Sequence, residues 1–157
     1  SEYVLVVPDD PRGAVLSVWA RRLGATPFAV SMKADTMVAA RRLLALIRQM
    51  QQGKNLCLNP DGPYGPSHEP KGGVGFIARK AGALIVPAGV FTITGIRLPR
   101  WDRYTIPFPF SRITIVLGEP LEVRPEDDPD QMRAIVRERL NEVERTAEAL
   151  HCEASHA

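Results

Sequence analysis

Tyr3-Val-Leu-Val-Val7, then Pro8-Asp-Asp-Pro11, then Arg12 to Leu23 with Gly24 behind it, set out strand, turn and helix in immediate succession. The first run is short, continuous and apolar, rich in β-branched residues and bounded by turn formers, which reads as a buried strand. Val15, Leu16, Val18, Trp19 and Leu23 follow at near-helical spacing, and Gly24 is placed to end that helix. Outward from there the pattern repeats. Thr26 to Val30 reads as a second strand. Asp35 is placed as N-cap of a helix that carries Met37, Leu43, Leu44 and Ile47 and stops at Gly53. Asn55 to Asn59 reads as a third strand, Pro60 to Pro70 as a loop, Gly73 to Ala81 as a short helix closed by Gly82, and Leu84 to Val90 as a fourth strand. Such alternation favours an α/β fold with a mostly parallel sheet flanked by helices.

The text changes from Thr92 to Arg112. Pro99, Pro107 and Pro109 interrupt periodicity while Trp101, Tyr104, Ile106, Phe108 and Phe110 keep the segment apolar, so it reads as a loop with anchors. Ile113 to Leu117 is a further strand. Asp128-Pro-Asp-Gln131 supplies an N-cap, a first-turn proline and a capping-box glutamine for a terminal helix. Met132, Ile135, Val136, Leu140, Val143, Ala147 and Leu150 follow 3.6-residue spacing, so this amphipathic C-terminal helix should lay one face on the sheet.

The 157 residues fit one domain, 1–157, with a real core. Hydrophobic residues at 45% and charged residues at 24% exclude the composition of a disordered chain. A net charge of +2 gives no general argument for nucleic acid as a partner, so any basic patch must be local. Cys57 and Cys152 cannot make a disulfide framework and lack zinc-ligand spacing, which makes a reduced, intracellular setting the expectation. No apolar run approaches the roughly 18 to 20 residues that span a bilayer, and residues 1–8 lack the basic region and cleavage site of a signal peptide.

Asn59-Pro-Asp-Gly-Pro-Tyr-Gly-Pro66, with Lys71-Gly-Gly ahead of the short helix, is the densest concentration of backbone-fixing residues in the chain. In an open α/β sheet, ligands collect at the carboxyl ends of strands. This loop leaves such an end carrying Asp61, with Lys71 shortly before a helix N-terminus, an arrangement suited to a phosphate or another anion. A tight structural crossover capped by Asp61 explains the composition equally well. The loop lacks the Gly-x-x-x-x-Gly-Lys-Ser/Thr pattern of a nucleotide P-loop.

Read together, Asp61-Gly-Pro-Tyr-Gly-Pro66, Lys71-Gly-Gly, Ala81-Gly-Ala-Leu-Ile-Val-Pro-Ala-Gly-Val90, Trp101-Asp-Arg-Tyr-Thr-Ile-Pro-Phe-Pro-Phe-Ser-Arg112 and Gly118-Glu-Pro120 resemble the bacterial DUF374 group of the lysophospholipid acyltransferase-like superfamily. The blocks fall in the family's order from about Tyr3 to Val123. The resemblance implies an acyltransferase-like fold at a membrane surface. It makes Asp61, Gly62, Pro63, Tyr64 and Gly65 with Lys71 the site for a lipid acceptor, and Trp101, Ile106, Phe108 and Phe110 contacts to membrane or acyl chain. Ile85-Val-Pro-Ala88 matches a later strand block lining the same pocket. Acyl-CoA or acyl carrier protein is implied as acyl donor; neither a metal nor a bound cofactor is.

Two departures bear on mechanism. Tyr64 stands where the group usually has Arg, removing a bidentate cation suited to phosphate. The superfamily's His-x-x-x-x-Asp, a general base with its orienting carboxylate, is absent. The counterpart of the group's Asp-Gly-Glu falls on Arg12-Gly-Ala14. Either the catalytic part of the family fold precedes Ser1 or this copy has lost the chemistry.

Other candidates are weaker. His68, between Ser67 and Glu69, is a substitute base or an exposed loop histidine, and adjacency alone does not make a triad. His151 and His156 lie at the tail. Asp9 and Asp10 could join Asp61 around a metal, but such pairs more often cap a helix. Cys57 reads as a small core residue between Leu56 and Leu58. Four arginines among the aromatics of 97–112 suit an anionic membrane interface, with a weaker contribution from Arg41, Arg42 and Arg48. The expectation is a peripheral protein of the cytoplasmic membrane face that transfers an acyl chain from a thioester to a lysophospholipid or related acceptor. The competing expectation is a noncatalytic lipid-binding or assembly module with a protein partner. A hydrolase built on Ser67 and His68 comes last.

Overall fold

The computed structural model describes residues 2–30, 36–62, 64–99 and 101–156, so the N-cap expected at Asp35 lies outside the described residues. The chain gathers into two compact units, one of residues 1–59 and 79–83, the other of 60–78 and 84–157.

In the first unit, β1 (Tyr3–Pro8), α1 (Pro11–Arg22), β2 (Ala25–Val30), α2 (Thr36–Gln51) and β3 (Asn55–Cys57) follow in the expected alternation. The strands make a parallel sheet in the order β2-β1-β3, with Tyr3 opposite Ala25 on one side and Asn55 on the other. The most apolar run takes the centre of the sheet, where Val4 and Val7 are buried. Asp10 starts α1 by accepting the backbone N–H groups of Arg12 at 2.9 Å and Gly13 at 3.1 Å, so the capping reading of the Asp pair holds for this residue. The Arg12 guanidinium bonds the same carboxylate and holds its pKa below the usual aspartate value. Asp9 instead faces Arg42 at 3.8 Å.

β3 ends at Cys57 rather than at Asn59, and Cys57 is exposed, which corrects its reading as a core residue. Among the described residues the strand lies at the sheet edge with β1 as its partner, so alternation there did not ensure cover on both faces. Helix α1 buries Gly13 and Ala20 while Val15, Val18, Trp19 and Leu23 remain exposed.

In the second unit the strands pair antiparallel, so among the described residues parallel pairing extends no further than β3. After α3 (Gly73–Ala81), whose last residues belong to the first unit, come β4 (Ala88–Phe91), β5 (Gly95–Arg97), β6 (Thr105–Pro107), β7 (Thr114–Leu117) and α4 (Pro129–His156). β4 pairs with β7, Val90 opposite Ile115, and β5 with β6, Ile96 opposite Ile106. The strand expected over 84–90 begins only at Ala88, with a lone bridge from Ile85 to Leu121 before it. Pro87 has no N–H to give, and its carbonyl accepts from Gly118 instead.

Helix α4 begins as its sequence dictates: Asp128 Oδ1 accepts the N–H groups of Asp130 at 3.0 Å and Gln131 at 2.8 Å. Met132, Val136, Val143 and Ala147 are buried, whereas Leu150 is exposed. The helix comes so close to β4 that a Cβ on Gly89 would lie 2.7 Å from Glu144 N. His151, near the end of the chain, continues the buried stripe at 1% exposure. Its Nδ1 lies 3.0 Å from Thr114 Oγ1 on β7, and Phe91 of β4 meets the ring edge-on at 5.4 Å.

Candidate functional site

All the expected site residues fall in the second unit, and the chain there folds so that the Pro/Gly loop meets the aromatic segment. Gly65 has φ +65, a left-handed conformation open to glycine at little cost. The indole of Trp101 fills the space where a side chain would stand, since a Cβ on Gly65 would lie 2.7 Å from Trp101 Cζ3. Two blocks separated along the chain thus share one packing contact. Pro63 lies outside the described residues. Tyr64 is exposed, and Lys71 is exposed with its backbone N–H on Pro60 O at 2.9 Å. A Cβ on Gly62 would lie 3.9 Å from Lys71 Cγ, so the two ends of the loop lie side by side.

The segment expected to be an anchored loop is instead a hairpin, β5 with β6. Pro107 ends the short edge strand β6, a place where its missing N–H costs no ladder bond. Ile96 and Ile106, directly paired, both remain exposed, as do Tyr104 and Phe108. Phe110 sits at φ +67 and its ring is fully exposed. Serine and backbone bonds pin this end, with Ser111 Oγ on Thr94 O at 3.0 Å and Ser111 N on Phe108 O at 3.1 Å. Arg97 and Arg103 are exposed on the same hairpin. Arg112 donates to Ala154 O on α4, and Arg42 to Ala29 O, so neither is simply a solvated cation.

The loop also carries a cluster that adjacency did not reveal. His68 has φ +61, rare for a residue with a side chain, and its N–H is held by Asp61 Oδ2 at 2.9 Å. Its Nδ1 lies 3.2 Å from Glu144 Oε2 and 3.1 Å from Asn141 Oδ1, both on α4. Glu69 beside it receives Arg137 at 3.0 Å. Ser67, the other half of the hydrolase reading, makes no hydrogen bond to His68 among the described residues. The only sequence signal for Asn141 and Glu144 was their spacing of three on one helix, which brings two side chains onto one side. A groove of about 380 Å³ runs along α4 between Asn141, Arg137 and Arg145.

Among the described residues, no three His, Cys, Asp or Glu side chains are grouped to hold a metal ion, and no helix is long and apolar enough to cross a membrane.

No family model matches this chain, and no solved structure matches it. The chain is 31% identical over 119 residues to an uncharacterized protein of Rickettsia prowazekii (strain Madrid E), an alignment covering 76% of this chain and 53% of that protein. The chain therefore spans about half the length of the curated relative it matches.

Proposed function

We propose that this protein works at an anionic membrane surface on an acyltransferase-like fold, passing an acyl chain from a thioester to a lysophospholipid or related lipid acceptor. The observation that carries the reading is the contact of Gly65 with Trp101. Through it the acceptor loop is built against the hairpin whose Ile106, Phe108 and Phe110 stand exposed. Rings and aliphatic side chains flanked by Arg97 and Arg103 suit the headgroup region, where apolar burial and attraction to anionic lipid add. Asp61, Gly62 and Tyr64 with Lys71 then shape the acceptor site, with acyl-CoA or acyl carrier protein as donor. The setting is the inner membrane face.

A noncatalytic lipid-binding module is the second reading. Arg12-Gly-Ala14 favours it, because Asp10 and Gly13 there serve the start of α1 and the two acidic residues of the group's motif are missing. Both readings predict association with vesicles containing an anionic phospholipid. Phe108→Ser with Phe110→Ser should weaken co-sedimentation by tenfold or more on the order of the apolar area withdrawn. Unchanged association of the folded double variant would contradict the membrane surface assigned to the hairpin.

A further inference from the structure

We propose that the outer face of α1 is a lipid-binding surface, an interfacial helix that lies on an anionic phospholipid bilayer. This surface belongs to the other unit from the hairpin and serves an enzyme or a noncatalytic module alike.

Helix α1 is folded with its small residues inward and its large apolar residues outward. Gly13 and Ala20 are buried, and a Cβ on Gly13 would lie 2.8 Å from the carbonyl carbon of Pro8. Ser17 Oγ, between them in sequence, donates back to Gly13 O at 2.6 Å. The helix thus lies close on β1, and turning it to bury a larger side chain would drive that side chain into the strand backbone. Val15, Trp19 and Leu23 are left outside, four residues apart and so in one line, with Val18 beside them. Trp19 is 59% exposed and Leu23 81%.

The charge around this line decides what fits it. From Pro11 to Arg22 there is no Asp or Glu. Arg12 is taken by Asp10, but Arg21 and Arg22 are exposed and have no ion pair among the described residues. Arg22 falls three residues after Trp19, so its stem can lie along the apolar line while the guanidinium reaches lipid phosphate. The same sign runs through the whole unit. Residues 1–59 and 79–83 hold ten Lys and Arg against four Asp and Glu, a net +6, whereas the rest of the chain holds ten against fourteen, a net −4. Trp and Leu in an apolar line, with unpaired arginines beside it and no carboxylate, suit a bilayer interface, where apolar burial and attraction to anionic headgroups add. A second copy of α1 laid on the first would instead bring arginines together.

Trp19 reports on this contact directly. The chain has two tryptophans, so the difference between wild type and Trp19→Phe isolates the α1 indole, with Trp101 common to both. On vesicles of phosphatidylcholine and phosphatidylglycerol, that difference emission should move to shorter wavelength and be quenched by brominated acyl chains. It should do so equally in the Phe108→Ser, Phe110→Ser protein at lipid concentrations that keep it bound. Arg21→Gln with Arg22→Gln should weaken co-sedimentation roughly 25-fold at low salt, about fivefold for each arginine, and high salt should erase the difference. Both positions are exposed, so the circular dichroism of this variant should match that of the wild type.

Bound vesicles with Trp19 emission unshifted and unquenched overturn the α1 surface and leave the hairpin reading standing. Undiminished binding by the double arginine variant overturns anionic lipid as the occupant. Emission already at short wavelength without lipid, and moving to longer wavelength on dilution, gives the face to a second copy and overturns the inference. A wild-type protein that binds no such vesicles overturns both this surface and the membrane reading above.

Discussion

Gly65 and Trp101 occupy each other's space: the indole stands where any side chain at position 65 would begin, and the left-handed φ of Gly65 is what lets the loop pass beneath it. Gly65→Ala therefore meets both a backbone penalty and a clash. It should destabilise the protein by about 1–3 kcal/mol from the backbone alone. In a Trp101→Ala background the cost should shrink, since the clash is gone and only the strain remains. Urea unfolding of the four proteins in the cycle checks this; equal costs in both backgrounds would deny the contact.

Helix α4 lies on β4 through Gly89, where even a methyl group would press on the Val143–Glu144 backbone. Gly89→Ala should lower stability by about 1–3 kcal/mol, in the range of overpacked cores. Because Glu144 belongs to the same helical turn, the variant should also displace the His68 partner, seen as a change in the His68 imidazole resonances.

His151 is fully buried and bonded to Thr114 across the α4 to β7 contact. Thr114→Val keeps the shape but takes away the hydroxyl and with it this hydrogen bond, at a cost of about 0.5–1.5 kcal/mol. Thermal unfolding measures it. A neutral result would mean that this hydrogen bond adds nothing to the packing.

Asp10 gives the acid side of the stability curve a defined sign. Its pKa is lowered in the folded protein, chiefly by the Arg12 side chain, so its contribution is complete above the unfolded value, roughly 3.9. That contribution disappears as the pH falls through the lowered folded value. Asp10→Asn retains a capping side chain without the charge, so its urea midpoint should fall less steeply on acidification than that of the wild type. Parallel curves would show that the Arg12 pairing has no effect on stability. Glu2, lowered by its hydrogen bond to Lys54, adds to the same slope and should respond likewise to Glu2→Gln.

Where local chemistry settles structure, the sequence was legible. Asp128-Pro129 started α4, the Pro/Gly run made a loop, and Gly73 to Ala81 formed the helix read there. The hairpin β5–β6 was not legible because its prolines speak against strands in general, and only an edge position makes Pro107 tolerable. His151 could have been found: it falls four residues beyond Ala147 and eight beyond Val143, on the buried stripe of α4, but a polar residue near a terminus did not suggest burial. The pairing of His68 with Asn141 and Glu144 spans more than seventy residues and depends on how loop and helix fold together, which no local pattern encodes. Cys57 failed in the opposite sense, since alternation marks a face without saying what covers it.

The central claim is acyl transfer at a lipid surface. Radiolabelled palmitoyl-CoA, vesicles bearing lysophosphatidic acid and the intact protein should yield labelled diacyl product, with Asp61→Asn in the acceptor loop reducing its rate by tenfold or more, the scale on which a misplaced substrate costs rate. A wild-type protein that binds these vesicles and forms no labelled product would contradict the account and leave a lipid-binding module.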